Sequence, residues 1–349
     1  MRYLVAGGTG FLGEELAIRL RNQKAWQRNF DQRPTRVASL FDEEVIGDIR
    51  NFNDCLKATN NVDIVFHNIA AVPLVKDKKD FLEINSLGTT NLLKAAQANG
   101  VKTFVFTSSS AVYGIPLTNP ITHQSDLLPV ESYGKSKLMA EGICTSHYGK
   151  SMSIHIVRPR TILGQNRLGI FSLIFDLVNN NASIPVFNHA RYIYDFIHVD
   201  DLTSALIAVA KKDGNLTLNL GSKNKFDLIT VLNSLVKHAN SSSKLMNIPV
   251  WPTKLFLRLF AKVGLLPFAE YQIKLYGEEF YFEDKLDWAR IGLTPEFSNE
   301  QAMIDSYKSF MNQEKTVNLS STHKSRIQLK SITFKILVST LRITNVLSR

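Results

Sequence analysis

Cysteine is nearly missing from this chain. Only Cys55 and Cys144 occur in 349 residues. There is no CxxC and no His/Cys cluster, which argues against a disulfide scaffold or a zinc site and fits a reducing compartment. Long apolar runs are missing too. No window reaches the roughly 18 uninterrupted apolar residues of a membrane-spanning helix. The short N-terminal run in "MRYLVAGGTGFLG" is broken by glycines, unlike a secretion signal. Acidic residues are absent from one stretch, because Thr316 to the C-terminus holds six Lys/Arg and no Asp or Glu. The formal net charge is +10, and this tail carries most of it. The body is only mildly basic and shows no nucleic-acid-binding motif, so nucleic acid is not an expected partner.

What is present is an alternation. "RYLVAGG", "VDIVFHNIA", "KTFVFTSSS" and "SIHIVRP" read as apolar β-strands. "GEELAIRLRNQ", "INSLGTTNLLKAAQANG" and "SYGKSKLMAEGICTSHYG" read as the helices between them. Near-continuous apolar strands separated by such helices predict an α/β fold, a doubly wound parallel sheet of the Rossmann kind with ligands at the strand C-terminal ends. The dinucleotide-binding domain is expected over 1–165, with a strand and helix returning to it around 190–222. A smaller α/β substrate-side domain is expected over 166–312, and a basic tail over 313–349. "RLGIFSLIFDLVNN" and "VDDLTSALIAVAKK" read as helices in the second half, the latter N-capped by Asp200 or Asp201. "WPTKLFLRLFAKVGLLPF" reads as an apolar and basic helix.

The first strand runs into "GGTGFLG", which sets Gly7, Gly10 and Gly13 at a strand-to-helix turn, with Phe11 and Leu12 between the last two. Such glycines make the turn, let the backbone approach a pyrophosphate and let helix pack on strand. The helix N-terminus then offers N–H groups to the phosphates. A carboxylate about 20 positions on should hold the adenosine ribose. Asp31 suits that spacing, while Asp42 follows "TRVASLF", a better strand by composition than "AWQRNF". A carboxylate there favours NAD over NADP, and nearby Arg28 and Arg33 leave NADP open.

Tyr133 and Lys137 in "ESYGKSKLMAE" are four apart, and so are Tyr281 and Lys285 in "FYFEDKLDW". On a helix this spacing puts both side chains on one face, where an ammonium can favour a phenolate and make a usable base. Acids surround Lys285, far from the glycine turn. Tyr133, by contrast, opens the helix after a strand that ends in three serines. Those hydroxyls project at the sheet edge where the ligand should lie, so the Tyr133 pair is the functional candidate.

Taken in order, "GGTGFLG", "GDI" at Gly47–Ile49, "VDIVFHNIAA", "NSLGTTNLLKAA", "TSSSAVYG", "YGKSK", "VRPRTILG", "FIHVDDL" and "LNLGS" resemble the extended short-chain dehydrogenases/reductases of the NAD-dependent epimerase/dehydratase family. The resemblance covers roughly residues 1–310. It implies that Asp48 and Ile49 lie by the adenine and that Ala70 and Ala71 lie along the cofactor. It implies further that Asn85 supports the site, and that Ser109, Tyr133 and Lys137 are catalytic. Lys137 would also bind the nicotinamide ribose, and Arg158 and Pro159 would open the loop beside the nicotinamide. Ser110, Arg160, Arg167 and Arg191 are candidate substrate residues. No metal is implied, and the partners are a small molecule and a second copy of the chain.

Dehydratases of the family carry an Asp/Glu pair beside the catalytic serine, and "SSSAVYG" has no carboxylate. Epimerisation of a nucleotide sugar at C4 is the expected reaction. Oxidation of a ring hydroxyl, as in 3β-hydroxysteroid dehydrogenases, is the alternative, with a non-catalytic dinucleotide sensor a third reading. Similar epimerases place an arginine before "DFIHVDD", where this chain has Tyr194. Arg167 or Arg290 would have to replace it. The expected location is the cytoplasm. The tail is either a peripheral segment on a membrane surface or a partly disordered or docked one.

Overall fold

The structure is a computed structural model that describes residues 1–71, 81–148, 152–166, 171–254, 275 and 277–313. The chain divides into two compact units. The first comprises Met1–Thr161, Val199–Gly221 and Phe282–Pro295, and the second comprises the rest.

The first unit is built on β1 (Arg2–Ala6), β2 (Trp26–Asp31), β3 (Glu43–Ile46), β4 (Ile64–His67), β5 (Thr103–Thr107), β6 (Ser153–Pro159) and a last strand, Leu216–Leu220. All seven are parallel, in the spatial order Leu216–Leu220, β6, β5, β4, β1, β2, β3. The helices used below are α1 (Phe11–Asn22), α2 (Phe52–Thr59), α3 (Gly88–Ala98) and α4 (Ser132–Thr145). From β1 the chain winds outward to β2 and β3, then returns to β4 and winds the other way. The strand order therefore reverses between β1 and β4, and a ligand crevice opens at their carboxyl ends. Leu4, Val65, Phe104 and Ile154, all fully buried, sit in one core with Leu92 and Leu93 of α3 and Ala140 of α4. This is the predicted doubly wound sheet.

The polar run "AWQRNF" does form a strand beside β1, because its side chains find partners. Buried Gln27 donates to the carbonyls of Ala17 (2.9 Å) and Leu40 (2.8 Å). Asn29 donates to Glu44 (2.9 Å), and Arg28 donates to Glu43 and to the carbonyls of Ala58 and Asn60. The better-looking run "TRVASLF" is a connection instead. Only Leu40 of its aliphatic residues is buried while Val37 is exposed, so it has no continuous apolar face to pack. A second difference concerns "VDDLTSALIAVAKK". Its helix starts at Val199, so Asp200 and Asp201 occupy the first turn rather than the cap. Carboxylates there suit the positive end of the helix dipole.

The second unit has its own core, in which Leu163, Phe175, Ile184, Val231, Leu232, Met303 and Phe310 are buried together. Leu163 ends the short strand Thr161–Leu163, and the others come from the helices Ser172–Asn179, Leu228–His238 and Asn299–Gln313 and from the strand Ile184–Val186, which pairs in parallel with Leu245–Asn247. Of the apolar and basic helix predicted near residue 260, residues 250–254 are helical and 255–274 lie outside the described residues, as does the tail from 314. Among the described residues no helix is long and apolar enough to cross a membrane.

Candidate active site

The glycine turn needs glycine for measurable reasons. Gly7 has φ +87°, and a Cβ on it would lie 3.0 Å from the Ile69 nitrogen on β4's outgoing chain. A Cβ on Gly13 would lie 2.1 Å from the Gly7 carbonyl oxygen. The Gly10 N–H donates to Gly7 O (3.1 Å), and Glu14 N–H closes the first helical turn on Gly10 O (2.9 Å). The N–H groups of Phe11, Leu12 and Gly13 thus stand at the positively polarised end of α1.

Asp31 ends β2 and faces this turn. Its carboxylate accepts from the Thr9 N–H (3.3 Å) and the Arg33 N–H (3.4 Å). Asp42 is occupied elsewhere, accepting from the Gln27 N–H (2.8 Å) and Arg21 (3.1 Å). Asp48 is held by Arg50 and Gln32, and the Arg50 guanidinium keeps its carboxyl below the usual range. Ile49 is buried against Gly88. Ala70 and Ala71 follow β4. The Asn85 amide grips Ala71 at both backbone groups, accepting from its N–H (2.8 Å) and donating to its carbonyl (3.2 Å).

The carboxyl end of β5 carries the serines. Ser109 caps the one-turn helix Ser110–Tyr113, its Oγ accepting from the Ala111 N–H (3.1 Å). A hydroxyl that accepts this bond still has a hydrogen to donate. α4 begins just after Glu131, whose carboxylate takes the N–H groups of Tyr133 and Gly134 (both 3.0 Å). Gly134 brings this first turn close to the serine turn, since a Cβ there would lie 2.5 Å from the Ala111 carbonyl oxygen. The Tyr133 ring meets Phe81 edge-on at 6.3 Å between centroids. Gly134→Ala should force α4 away from Ala111 and cut turnover about tenfold or more with little change in cofactor affinity. Steady-state kinetics beside a direct cofactor-binding measurement checks this.

Lys137 lies one turn further on and is buried. Its Nζ donates to the Thr107 carbonyl (2.8 Å) and stands 4.7 Å from the Phe106 ring centroid. Burial lowers its pKa to about 8. An unfolded lysine titrates near 10.5, so between these values the unfolded chain holds a proton that the folded chain has released. Stability due to this group therefore rises from pH 8 to 10.5. Burial pushes the thiols of Cys55 and Cys144 up, which works in the opposite sense in this range. The difference between wild type and Lys137→Met, read by chemical denaturation without cofactor, isolates the lysine contribution. Substitution should remove a rise with pH, and parallel curves would refute it.

The competing pair is not on one helix. Tyr281 precedes the helix Lys285–Ile291, and Lys285 is exposed at its start. Of the substrate candidates, Ser110 and Arg160 come together. Arg160 is buried and donates to Ser110 Oγ (3.0 Å). Arg191 is exposed in the second unit, and Arg167 lies outside the described residues. Arg290 is paired with Asp287 (3.4 Å).

A model of the NAD-dependent epimerase/dehydratase family matches residues 3–221. The chain belongs to this family. The uncharacterised protein y4nG of Sinorhizobium fredii is 38% identical over 305 residues, 87% of this chain and 77% of that one. A 3 beta-hydroxysteroid dehydrogenase/Delta 5-->4-isomerase of Mycobacterium tuberculosis is 32% identical over 193 residues, 51% of each chain. UDP-glucose 4-epimerase 4 of rice (Oryza sativa subsp. japonica) is 27% identical over 334 residues, 82% of this chain and 89% of that one. Among solved structures, a Bacillus cereus UDP-glucuronic acid 4-epimerase in complex with NAD superposes with a TM-score of 0.72 at 19% identity, over 89% of this chain and 99% of that one.

Membership makes the chain an NAD-dependent epimerase or oxidoreductase. Its residues fit that cofactor, because the Gly7–Gly13 turn, too closely packed for a Cβ at Gly13, presents the N-terminus of α1 and a carboxylate ends the neighbouring strand. One cluster escaped the sequence reading. Glu141, a further turn along the face of Tyr133 and Lys137, takes both arms of Arg158 (2.9 and 2.6 Å) and the Ser108 hydroxyl (2.5 Å). Arg158 also donates to the Tyr113 hydroxyl (2.7 Å), which donates to Asn219 (3.0 Å). Arg158 therefore braces the strand ends. The i, i+4, i+8 spacing of Tyr133, Lys137 and Glu141 was the available signal.

Proposed function

We propose that the chain inverts a ring hydroxyl carbon of a nucleotide sugar, at C4, by transient oxidation. The observation that carries this reading is the close seating of the Tyr133–Gly134 turn on Ala111, two residues past Ser109, with Lys137 held one turn away on the Thr107 carbonyl. Asp31, Asp48, Ile49, Ala70, Ala71, Asn85 and Pro159 line the cofactor together with the glycine turn. NAD, when bound, supplies hydride acceptance and return.

Ser109 donates its hydroxyl hydrogen to the substrate oxygen and holds it. Tyr133 takes the hydroxyl proton as the carbonyl forms and gives it back as the inverted alcohol re-forms. The Lys137 ammonium steadies the negative charge on the tyrosine oxygen in between. No carboxylate adjoins Ser109 in "SSSAVYG" to drive loss of water. Sequence similarity to the rice UDP-glucose 4-epimerase along most of both chains supports a nucleotide sugar.

The 3β-hydroxysteroid dehydrogenase relative and Tyr194 in the arginine position favour the second reading, net oxidation of a ring hydroxyl. Purified protein given NAD and UDP-galactose separates them. Appearance of UDP-glucose without net NADH is expected, and a ring-hydroxyl substrate oxidised with stoichiometric NADH would replace the epimerase reading.

A further inference from the structure

The carboxyl end of β4 holds a histidine that the proton transfer above does not use. His67 is fully buried, and its Nε2 lies 2.8 Å from Thr89 Oγ1. The Thr89 hydroxyl donates its only hydrogen to the Asn85 carbonyl (2.6 Å). Nε2 must therefore carry the hydrogen and donate to Thr89. The other ring nitrogen, Nδ1, has no hydrogen-bond partner among the described residues. Burial, with the Lys137 charge nearby, drives the pKa of His67 well down, so it stays neutral in this tautomer.

The chain of bonds continues. Asn85 sits in a wide π-helical turn, Phe81–Leu87, that leads into α3. Its side-chain Nδ2 donates to Ser136 Oγ (2.8 Å), and Ser136 donates to the carbonyl of Tyr133 (2.7 Å). Thr89, Asn85 and Ser136 are all buried. Two residues of α3 and its entry turn thus connect the end of β4 to the first turn of α4. Such π turns widen a helix and redirect its backbone groups. The Asn85 carbonyl receives the Thr89 hydroxyl from one turn on, while its side-chain amide reaches across to α4.

We infer that His67 and Thr89 are positioning residues for Tyr133, acting through Asn85 and Ser136 along one buried hydrogen-bond chain. The inference rests on Tyr133 being the base of the proposed function. Thr89 holds Asn85 at its backbone carbonyl, so loss of that bond loosens the turn that carries the Asn85 side chain, which stays bonded to Ala71 while its reach to Ser136 shifts. A buried polar group left without its partner costs more than the bond was worth, and a base displaced by a fraction of an ångström loses much of its rate.

Thr89→Val removes both hydroxyl bonds and keeps the shape. Thr89→Ser keeps the hydroxyl. His67→Leu removes the donor, and His67→Gln keeps an N–H at similar reach. Full-length proteins with NAD bound are compared by amide hydrogen exchange over residues 132–137 and by turnover of UDP-galactose. Thr89→Val should speed exchange of this turn and lower kcat, each about tenfold, with KM changed less than about twofold. Thr89→Ser should restore both. If Thr89→Val does not fold, His67→Leu against His67→Gln decides by the same readings. Wild-type exchange and kcat in Thr89→Val, or a serine variant as impaired as the valine one, overturns the inference. Wild-type turnover in Tyr133→Phe would instead end the proposed function, while the exchange result would still report on the chain of bonds.

Discussion

Tyr133→Phe should lower kcat about a thousandfold, the range open to a positioned acid–base group, while NAD binds as in wild type. Phenylalanine keeps the ring that meets Phe81 edge-on at 6.3 Å and removes only the hydroxyl. The backbone N–H of residue 133 still donates to Glu131, so the start of α4 should hold. The fold and the cofactor site are then intact, and the loss falls on the chemical step. Kinetics beside a calorimetric NAD titration checks both parts. Retention of more than about a tenth of wild-type kcat would remove Tyr133 from its role, and the spacing with Lys137 would be as uninformative as that of Tyr281 and Lys285.

Gly13→Ala should be among the most damaging single methyls in the first unit. Its Cβ would sit 2.1 Å from the Gly7 oxygen, 2.8 Å from the Gly7 carbonyl carbon and 2.9 Å from the Gly8 Cα. All three are backbone atoms of the turn itself, so relief requires moving α1 off β1. Overpacking of this kind costs about 1–3 kcal/mol of stability. Loss of the turn geometry should weaken NAD binding about a hundredfold, equivalent to about 3 kcal/mol. Gly10→Ala is the control, since its Cβ would approach Gly7 O only to 3.2 Å and should be milder on both counts. Thermal unfolding and NAD titration of the two variants rank them, and equal effects would contradict the packing account.

Much of the first unit was legible because its signals are periodic and local. Glycines at 7, 10 and 13, serines after β5 and tyrosine four before lysine are residue types that few other environments require. β2 was harder, because Gln27, Arg28 and Asn29 look wrong for a buried strand until their partners on α1, β3 and the α2 end are seen. Strand β3, an exposed edge of four residues, and helix α2 carried no signal strong enough to place them. The roles of His67, Thr89 and Glu141 were illegible for another reason. The partner of His67 lies 22 residues on and that of Glu141 17 on, so the helix spacing that puts Glu141 on the face of Lys137 does not reveal what it holds.

Among the arginines, Arg158, expected to open the loop beside the nicotinamide, is spent on Glu141 and Tyr113, while the substrate candidate Arg160 donates to Ser110, itself a candidate. Charge alone does not distinguish a brace from a ligand.

In the proposed reaction hydride leaves and returns within one substrate molecule. The most direct measurement starts from UDP-galactose carrying deuterium at C4, with NAD and the full-length protein. The UDP-glucose formed should keep the deuterium at C4, with no NADH accumulating. No conversion of the sugar, or deuterium lost from C4 with stoichiometric NADH, would contradict it.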